Sequence, residues 1–420
     1  MRVAVLGAGV VGVTTAYELA RDGHEVVVID RLPEAAGETS FANAGLIAPG
    51  HAYTWSSPRA PRILLRSLFD KSQALQFKPS LDLRLWSWSW KFLANCTAEK
   101  ARTNTKRKVR LCIYSQGRLQ GIVAQTGVDY CGLSGGLLYL YRKPESFERG
   151  SANIRILSEE GLELRAIGPD EAARIDPALE PVKDKFAGAV YCPSDASGDA
   201  RVFTQNLASY CAAKLGVRFM FGTAITGFES DGDRITGART TGGTISADEF
   251  VFSLGVYAPD FARRLGVKLP IYPIKGYSVT LPIDGSNNPP TMGGVDEDNL
   301  VAYARFGNRL RATATAEFSG FDKSHRPEDF KHMLSVIRDI FPNGGNYAKP
   351  QYWAGLRPMT PEGTPIFGRG GRYRNLVFNV GHGHMGWTMS AGSARIAADI
   401  VKGARPGLDL SGMMVTDRRF

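Results

Sequence analysis

Residues 2–6 (RVAVL) pass from one basic position into an unbroken apolar run, the pattern of a short strand buried on both faces. Gly7-Ala8-Gly9-Val10-Val11-Gly12 follows. Apolar residues then recur at Val13, Ala16, Tyr17, Leu19 and Ala20 on successive helical turns, ending at Gly23. A second apolar run, 26–29 (VVVI), closes on Asp30, which completes a strand–helix–strand unit. Residues 56–125 read as largely helical, with a Trp-rich piece at 81–93, and 135–141 reads as a strand. Helices are expected at 151–160 and at 201–215, the latter stopped by Gly216. Three strand-like runs, 217–221, 224–230 and 234–240, are separated by Gly-containing turns, and 250–254 is a further apolar run. Then come a long strand at 271–281, a strand pair across 300–318 turning at Gly307-Asn308, and a helix at 327–340. The C-terminal part returns to strand (376–380), Gly/His turn and helix (390–401).

This alternation predicts an α/β protein whose Rossmann-type domain is discontinuous, formed by 1–55, 190–255 and 350–420. Residues 56–189 and 256–349 are expected to form a second, substrate-binding domain on a mainly antiparallel sheet with helices. A length of 420 residues suits two or three domains, and 43% hydrophobic with 22% charged residues is globular.

The net charge of +10 calls for an anionic cofactor, substrate or surface, or a nucleic acid. The basic residues are scattered apart from 100–110 (KARTNTKRKVR), and no zinc-finger or RNA-binding signature accompanies them, so no nucleic-acid partner is expected. The basic cluster reads as a solvated helix face. Five cysteines form no CxxC pair and suit a reducing, cytoplasmic setting. The first twenty residues carry three spaced glycines and read as structure, not as a leader. No apolar run reaches the roughly 18 residues of a membrane span, so any membrane contact must be peripheral. The Trp-rich piece is the candidate for it, but Trp86, Trp88 and Trp90 do not fall on one helical face, which favours interior packing.

The glycine motif has the context that dinucleotide binding requires: a strand before, a helix after, and Asp30 eighteen residues beyond Gly12. Gly7 permits the tight turn, Gly9 the approach of a pyrophosphate, and Gly12 the packing of helix on strand. The N–H groups at Val10 and Val11 open the helix toward the phosphates. Asp30, with Arg31 beside it, faces the adenosine ribose, and its charge favours FAD or NAD over NADP. Residues 38–47 (ETSFANAGLI) supply a second clamp: Thr39 and Ser40 for phosphate, and Ala44, Gly45 and Leu46 for a flat ring. A nicotinamide cofactor that leaves at each turnover needs no such clamp, whereas a buried flavin does. An ordinary polar loop has the same composition. Arg357, within WAGLRPMTPEGTP, is a carboxylate anchor or the partner of a structural acid. Gly383, His384, Met385, Gly386, Trp387 and Thr388 form a junction whose N–H groups suit the electron-rich edge of a flavin. His382 and His384 lack acidic or thiol neighbours in sequence, and no metal is expected.

Taken together, VLGAGVVGVTTAYELARDGHEVVVIDR, ETSFANAGLIAPG, RVFTQNLA, YPIKGYSVTLP, WAGLRPMTPEGTPIFGR and NVGHGHMGWTMSAG resemble the D-amino acid dehydrogenase family of small-subunit type. That family lies within the wider glycine oxidase and D-amino acid oxidase group, and the resemblance covers essentially the whole chain. It implies non-covalent FAD and oxidative deamination of a small amino acid to a 2-oxo acid and ammonia by hydride transfer from Cα to flavin N5. Electrons would pass to a respiratory acceptor such as a quinone or a redox partner, in the cytoplasm or at the inner face of the cell membrane. Carried over position by position, Arg357 holds the substrate carboxylate. Tyr277, in the KGYS block, is a candidate second contact to substrate or flavin, and His51 and Tyr53, after the flavin loop, are candidates to line the substrate cavity. His384-Met385 departs from the Thr-Leu of many relatives, which puts the shape of the pocket there in question. A glycine- or sarcosine-type oxidase using oxygen, a proline or hydroxyproline dehydrogenase, and a non-catalytic electron-transfer flavoprotein remain open on the same motifs.

Overall fold

The computed structural model describes residues 1–67, 75–77 and 80–418. Two sheets organise them. The first has six strands, in the order Arg218–Met220, Glu25–Ile29, Arg2–Leu6, Glu249–Phe252, Leu376–Val380 and Ile366–Arg369. The first five run parallel, and only the last is antiparallel to its neighbour. These strands are short and almost wholly buried because layers cover both faces. Val10–Arg21, Ala200–Leu215 and Gly386–Lys402 pack on one face. A three-stranded antiparallel meander, Ile225–Asp231, Arg234–Thr240 and Gly243–Ser246, and the helix Ala258–Arg264 close the other.

The second sheet runs Gln351–Met359, Tyr272–Pro282, Arg309–Phe318, Val301–Phe306, Gly293–Asp296, Leu137–Tyr141, Gly188–Cys192 and Arg165–Ile167. Its pairings are antiparallel except that Gly293–Asp296 runs parallel to Leu137–Tyr141, and Leu75–Phe77 adds parallel to Arg309–Phe318.

Several elements differ from the sequence expectation for physical reasons. The stretch 56–125 is not one helical region: Ala60–Ser67, Leu83–Ala94 and Ala98–Thr126 are helices, but Leu75–Phe77 is a strand held by its register with Ala316–Phe318. Residues 386–388 are not part of a loop. A single 3-10 turn, Gly383–Met385, leads directly into the helix Gly386–Lys402, so Trp387 and Thr388 form its first turn. Gln351–Met359, expected with the cofactor domain, is an edge strand of the second sheet, since its long register with Tyr272–Pro282 outweighs its closeness in sequence to Leu376–Val380.

The 100–110 cluster is only partly a solvated face. Arg102, Lys106 and Arg110 meet Glu159 and Glu160, but Lys108 is buried, with Nζ donating to the Tyr53 carbonyl at 2.9 Å. The tryptophans divide likewise. Trp88 is buried and its indole N–H donates to the Met359 carbonyl. Trp86 and Trp90 face outward with Leu83 and Leu93, at helical spacing, so the outer stripe consists of two tryptophans and two leucines.

Candidate active site

A cavity of about 720 Å³ lies where the carboxyl ends of the parallel strands meet the second sheet. Every cofactor- or substrate-site residue expected from the sequence lines it except Gly12, which is buried. A Cβ on Gly12 would come within 1.9 Å of the Gly7 carbonyl oxygen, so the helix can start this close to the strand only with glycine there. Val10 N–H donates to Ser40 Oγ at 3.1 Å, and the first turn of the Val10–Arg21 helix holds no acidic residue to repel a phosphate. Both carboxylate oxygens of Asp30 are fixed, accepting from Ala8 N–H at 2.7 Å and Leu32 N–H at 2.9 Å. Arg31 stacks over the Tyr257 ring at 4.1 Å and pairs with Glu38.

The 38–47 loop is tied to distant parts of the chain. Thr39 donates its hydroxyl to the Leu356 carbonyl at 2.7 Å, so it fastens the loop to the Arg357 strand and is engaged with protein rather than free for phosphate. The loop's end, past Ala44 and Gly45, pairs Leu46 and Ile47 with Ser197 and Ala196. Thr388 Oγ1 accepts from Ala48 N–H and donates to the Leu46 carbonyl, joining the loop to the helix that begins at Gly386.

Arg357 reaches the cavity from Gln351–Met359. Its guanidinium is enclosed by protein, with the accessible part facing the cavity, and burial pushes it down to about 10. Among the described residues its hydrogen bonds go to two backbone carbonyls, Thr315 at 2.8 Å and Lys275 at 3.3 Å. Among the described residues no carboxylate pairs with it, and a buried cation without an anion is costly. Room for it comes from Gly276 on the neighbouring strand, where an added Cβ would sit 2.3 Å from the guanidinium carbon. Next in that strand, Tyr277 walls the cavity but gives its hydroxyl to Glu317 at 2.7 Å. His384 stacks on Trp55 at 4.8 Å; burial, reinforced by the charges of Lys108, Arg357 and His51, holds its imidazole well below the usual range and neutral.

The sequence of this chain matches the family described as FAD dependent oxidoreductase (DAO) over residues 2–400. The chain belongs to that family. Among curated proteins it is similar to D-amino acid dehydrogenase 2 of Mesorhizobium japonicum, 44% identical over 414 residues, covering 99% of each chain. Among solved structures it resembles glycine oxidase from Geobacillus kaustophilus (TM-score 0.75, 23% identity, 100% of each chain covered). It also resembles L-proline dehydrogenase from P. horikoshii (TM-score 0.75, 21% identity, 99% of this chain and 96% of that one). At those identities the two structures speak for the fold alone.

The residues present fit FAD. Asp30 and the opening of the Val10–Arg21 helix suit the adenosine diphosphate half. Gly45, Leu46 and the 383–388 segment line the same cavity as Arg357 and would hold the flavin ring. When bound, the flavin supplies the hydride acceptor; the protein supplies position and charge. Gly276, Lys108, Glu297 and the apolar wall of Ala60, Ile63, Leu64, Leu75, Phe92 and Phe318 are not among the site residues expected from the sequence. A glycine inside the long 271–281 strand was a signal of close approach; the others carry none that sequence alone reveals.

Proposed function

We propose that this flavoenzyme oxidises D-amino acids to 2-oxo acids and ammonia, with Arg357 holding the substrate carboxylate and Cα–H turned toward flavin N5. One observation carries this reading: a half-buried guanidinium, held by two backbone carbonyls, opens onto the cavity and, among the described residues, has no carboxylate of its own. An α-amino acid brings the missing anion, and the planar fork suits a bidentate grip. His51, Tyr53 and Tyr277 bound the space where the rest of the substrate lies. The handedness follows from the 44% identity to a D-amino acid dehydrogenase. The test is the visible spectrum of the flavoprotein under anaerobic conditions. D-alanine bleaches the flavin bands, L-alanine leaves them, and Arg357→Ala raises the concentration needed by at least 100-fold while FAD stays bound. Unchanged affinity for D-alanine in Arg357→Ala overturns the assignment.

The electrons pass, in this reading, to a quinone or redox partner at an anionic membrane surface. Supporting it, Leu81, Leu83, Trp86, Trp90 and Leu93 are exposed together, as are Ile63 and Leu65 on the adjoining helix. Between residues 56 and 96 the chain carries Arg59, Arg62, Arg66, Lys71, Lys78, Arg84 and Lys91 against only Asp70 and Asp82. Ile63, Leu64 and Phe92 of the same two helices also wall the cavity, so the surface and the redox centre are neighbours. Among the described residues no helix is long and apolar enough to cross a membrane, so contact of this kind is peripheral.

A further inference from the structure

His51 and Tyr53 line two cavities at once. One is the main cavity with Arg357. The other, of about 250 Å³, is lined also by Arg59, Tyr141, Arg149, Asn153, Glu297 and Asp298. The two side chains are therefore the partition between the reacting centre and a polar vestibule.

The partition is built firmly. His51 ends the 3-10 turn Pro49–His51, whose Gly50 N–H donates to the buried carboxylate of Asp195 at 3.0 Å. A Cβ on Gly50 would fall 2.4 Å from that carboxylate. The imidazole stacks on Tyr139 at 5.1 Å with 17° between the planes, and meets Tyr53 edge-on at 6.2 Å. Its Nε2 lies 2.8 Å from Glu297 Oε1, and Glu297 follows directly on the strand Gly293–Asp296, its own N–H bonded to the Leu140 carbonyl. Among the described residues, Glu297, Lys108, Asp195, Tyr53, Tyr139 and His384 are the titratable groups that act on or stack by the ring, and Arg59, Tyr141, Arg149 and Asp298 line the vestibule with it. Burial alone lowers the affinity of His51 for a proton and Lys108 opposes protonation, but Glu297, aided by Asp195, outweighs them and raises its pKa. An imidazole so placed can accept a proton near neutral pH and be neutralised by its carboxylate once it has done so.

We propose that His51, backed by Glu297, accepts the proton that the substrate ammonium must lose, and passes it to solvent through the vestibule lined by Glu297 and Asp298. This rests on the amino acid oxidation proposed above. An amino acid arrives as R–CH(NH3+)–COO−, with no lone pair on nitrogen. One N–H bond breaks, its electrons stay on nitrogen, and the proton bonds to the imidazole. The new lone pair then forms the C=N bond as the Cα–H bond gives its electron pair, as hydride, to the oxidised flavin. The substrate leaves as an iminium, R–C(=NH2+)–COO−, which water converts to the 2-oxo acid and ammonium. The imidazolium returns its proton past Glu297 to water, and the site is reset. Charge and electrons balance with flavin as the one oxidant.

The test combines two readouts on flavin-loaded protein: the pH dependence of the anaerobic flavin-reduction rate with D-alanine, and NMR titration of labelled histidine, with His51 assigned from the spectrum that His51→Asn loses. In wild type, the reduction rate rises with pH along a limb whose midpoint matches the His51 titration, above 6.5. Glu297→Gln moves both midpoints to lower pH together by about one unit or more. His51→Asn cuts the rate at pH 7 by roughly 100-fold. It also displaces the limb to the alkaline range, where the substrate amine sheds its proton unaided. Retained FAD and far-UV circular dichroism certify folding, and His51→Gln repeats the measurement should the Asn variant misfold. A limb that stays in place in Glu297→Gln, or a His51→Asn loss equal at every pH, overturns the relay while leaving the amino acid oxidation standing. Failure of wild-type flavin to bleach with any D-amino acid overturns the underlying reading and the relay with it.

Discussion

Replacing Gly276 by alanine separates the placing of Arg357 from the stability of the fold. Gly276 has a backbone conformation that L residues adopt freely, so alanine brings no strain of its own and removes freedom from the unfolded chain, worth about 0.4–1 kcal/mol in favour of folding. The conflict is local. The new Cβ lies 2.3 Å from Arg357 Cζ and Nη2 and 2.4 Å from Nη1, where ordinary contacts begin at 3.4 Å. The guanidinium must withdraw by roughly 1 Å, and it cannot do so while keeping the Thr315 and Lys275 carbonyls at 2.8 and 3.3 Å. Losing one charge-assisted hydrogen bond costs about 1.5–3 kcal/mol, or about 10–150-fold in affinity for the carboxylate. Misplacing a bound substrate by about 1 Å can cost 100-fold in rate. The expected variant therefore melts at or above the wild-type temperature, keeps its flavin, and shows kcat/KM for D-alanine lowered by one to two orders of magnitude, mostly through KM. Steady-state kinetics, flavin absorbance per chain and thermal melting together decide it. Wild-type KM would show that Arg357 does not need the space above Gly276, and an equal loss of flavin and melting temperature would show a general packing defect instead.

Three further outcomes are expected. Burial pushes Asp195 up to about 6, although Tyr139 and Gly50 both donate to it; its stabilising contribution is present below pH 4 and lost as pH rises through 6. In chemical denaturation the wild-type stability minus that of Asp195→Asn should thus fall by on the order of 3 kcal/mol between pH 4 and 6.5 and then stay level; a flat difference would refute the burial argument. D-methionine and D-valine should reduce the flavin at least tenfold more efficiently than D-aspartate, because the wall of Ala60, Ile63, Leu64, Leu75, Phe92 and Phe318 offers no partner to a second carboxylate; equal stopped-flow rates would contradict this. Trp90, 72% exposed, should anchor the chain to phosphatidylglycerol-containing vesicles, so Trp90→Asp lowers co-sedimentation by tenfold or more without altering reduction by D-alanine in solution, and an unchanged partition would remove the membrane reading.

The opening strand–helix–strand and the acid at Asp30 were legible because they obey local rules: buried strands read as apolar runs, and a glycine turn announces itself. The segment 350–420 was expected to lie with the cofactor domain, and nothing in 351–359 records that its partner is 272–282; register is a property of two segments at once. Trp86, Trp88 and Trp90 do not share one helical face, as their spacing implies, and of the three only Trp88 packs inside. The outward stripe becomes visible only when Leu83 and Leu93 are counted and Trp88 is turned inward by its bond to Met359. Glu297 and Lys108 look like surface residues in sequence; only folding sets one beside His51 and buries the other beneath Tyr53.

The hydroxyl of Thr39, bonded to the carbonyl of Leu356, joins the first tenth of the chain to its last fifth, and Thr388 repeats the link to Leu46 and Ala48. A chain emerging from the ribosome therefore displays its glycine loop early but has no completed cleft until the segment around Thr388 has also emerged. Loading of the prosthetic group is then a step for the finished polypeptide. A chain that stops before that point lacks one wall of the cleft, so a ligand held by the cleft stabilises the finished polypeptide and not the shorter one.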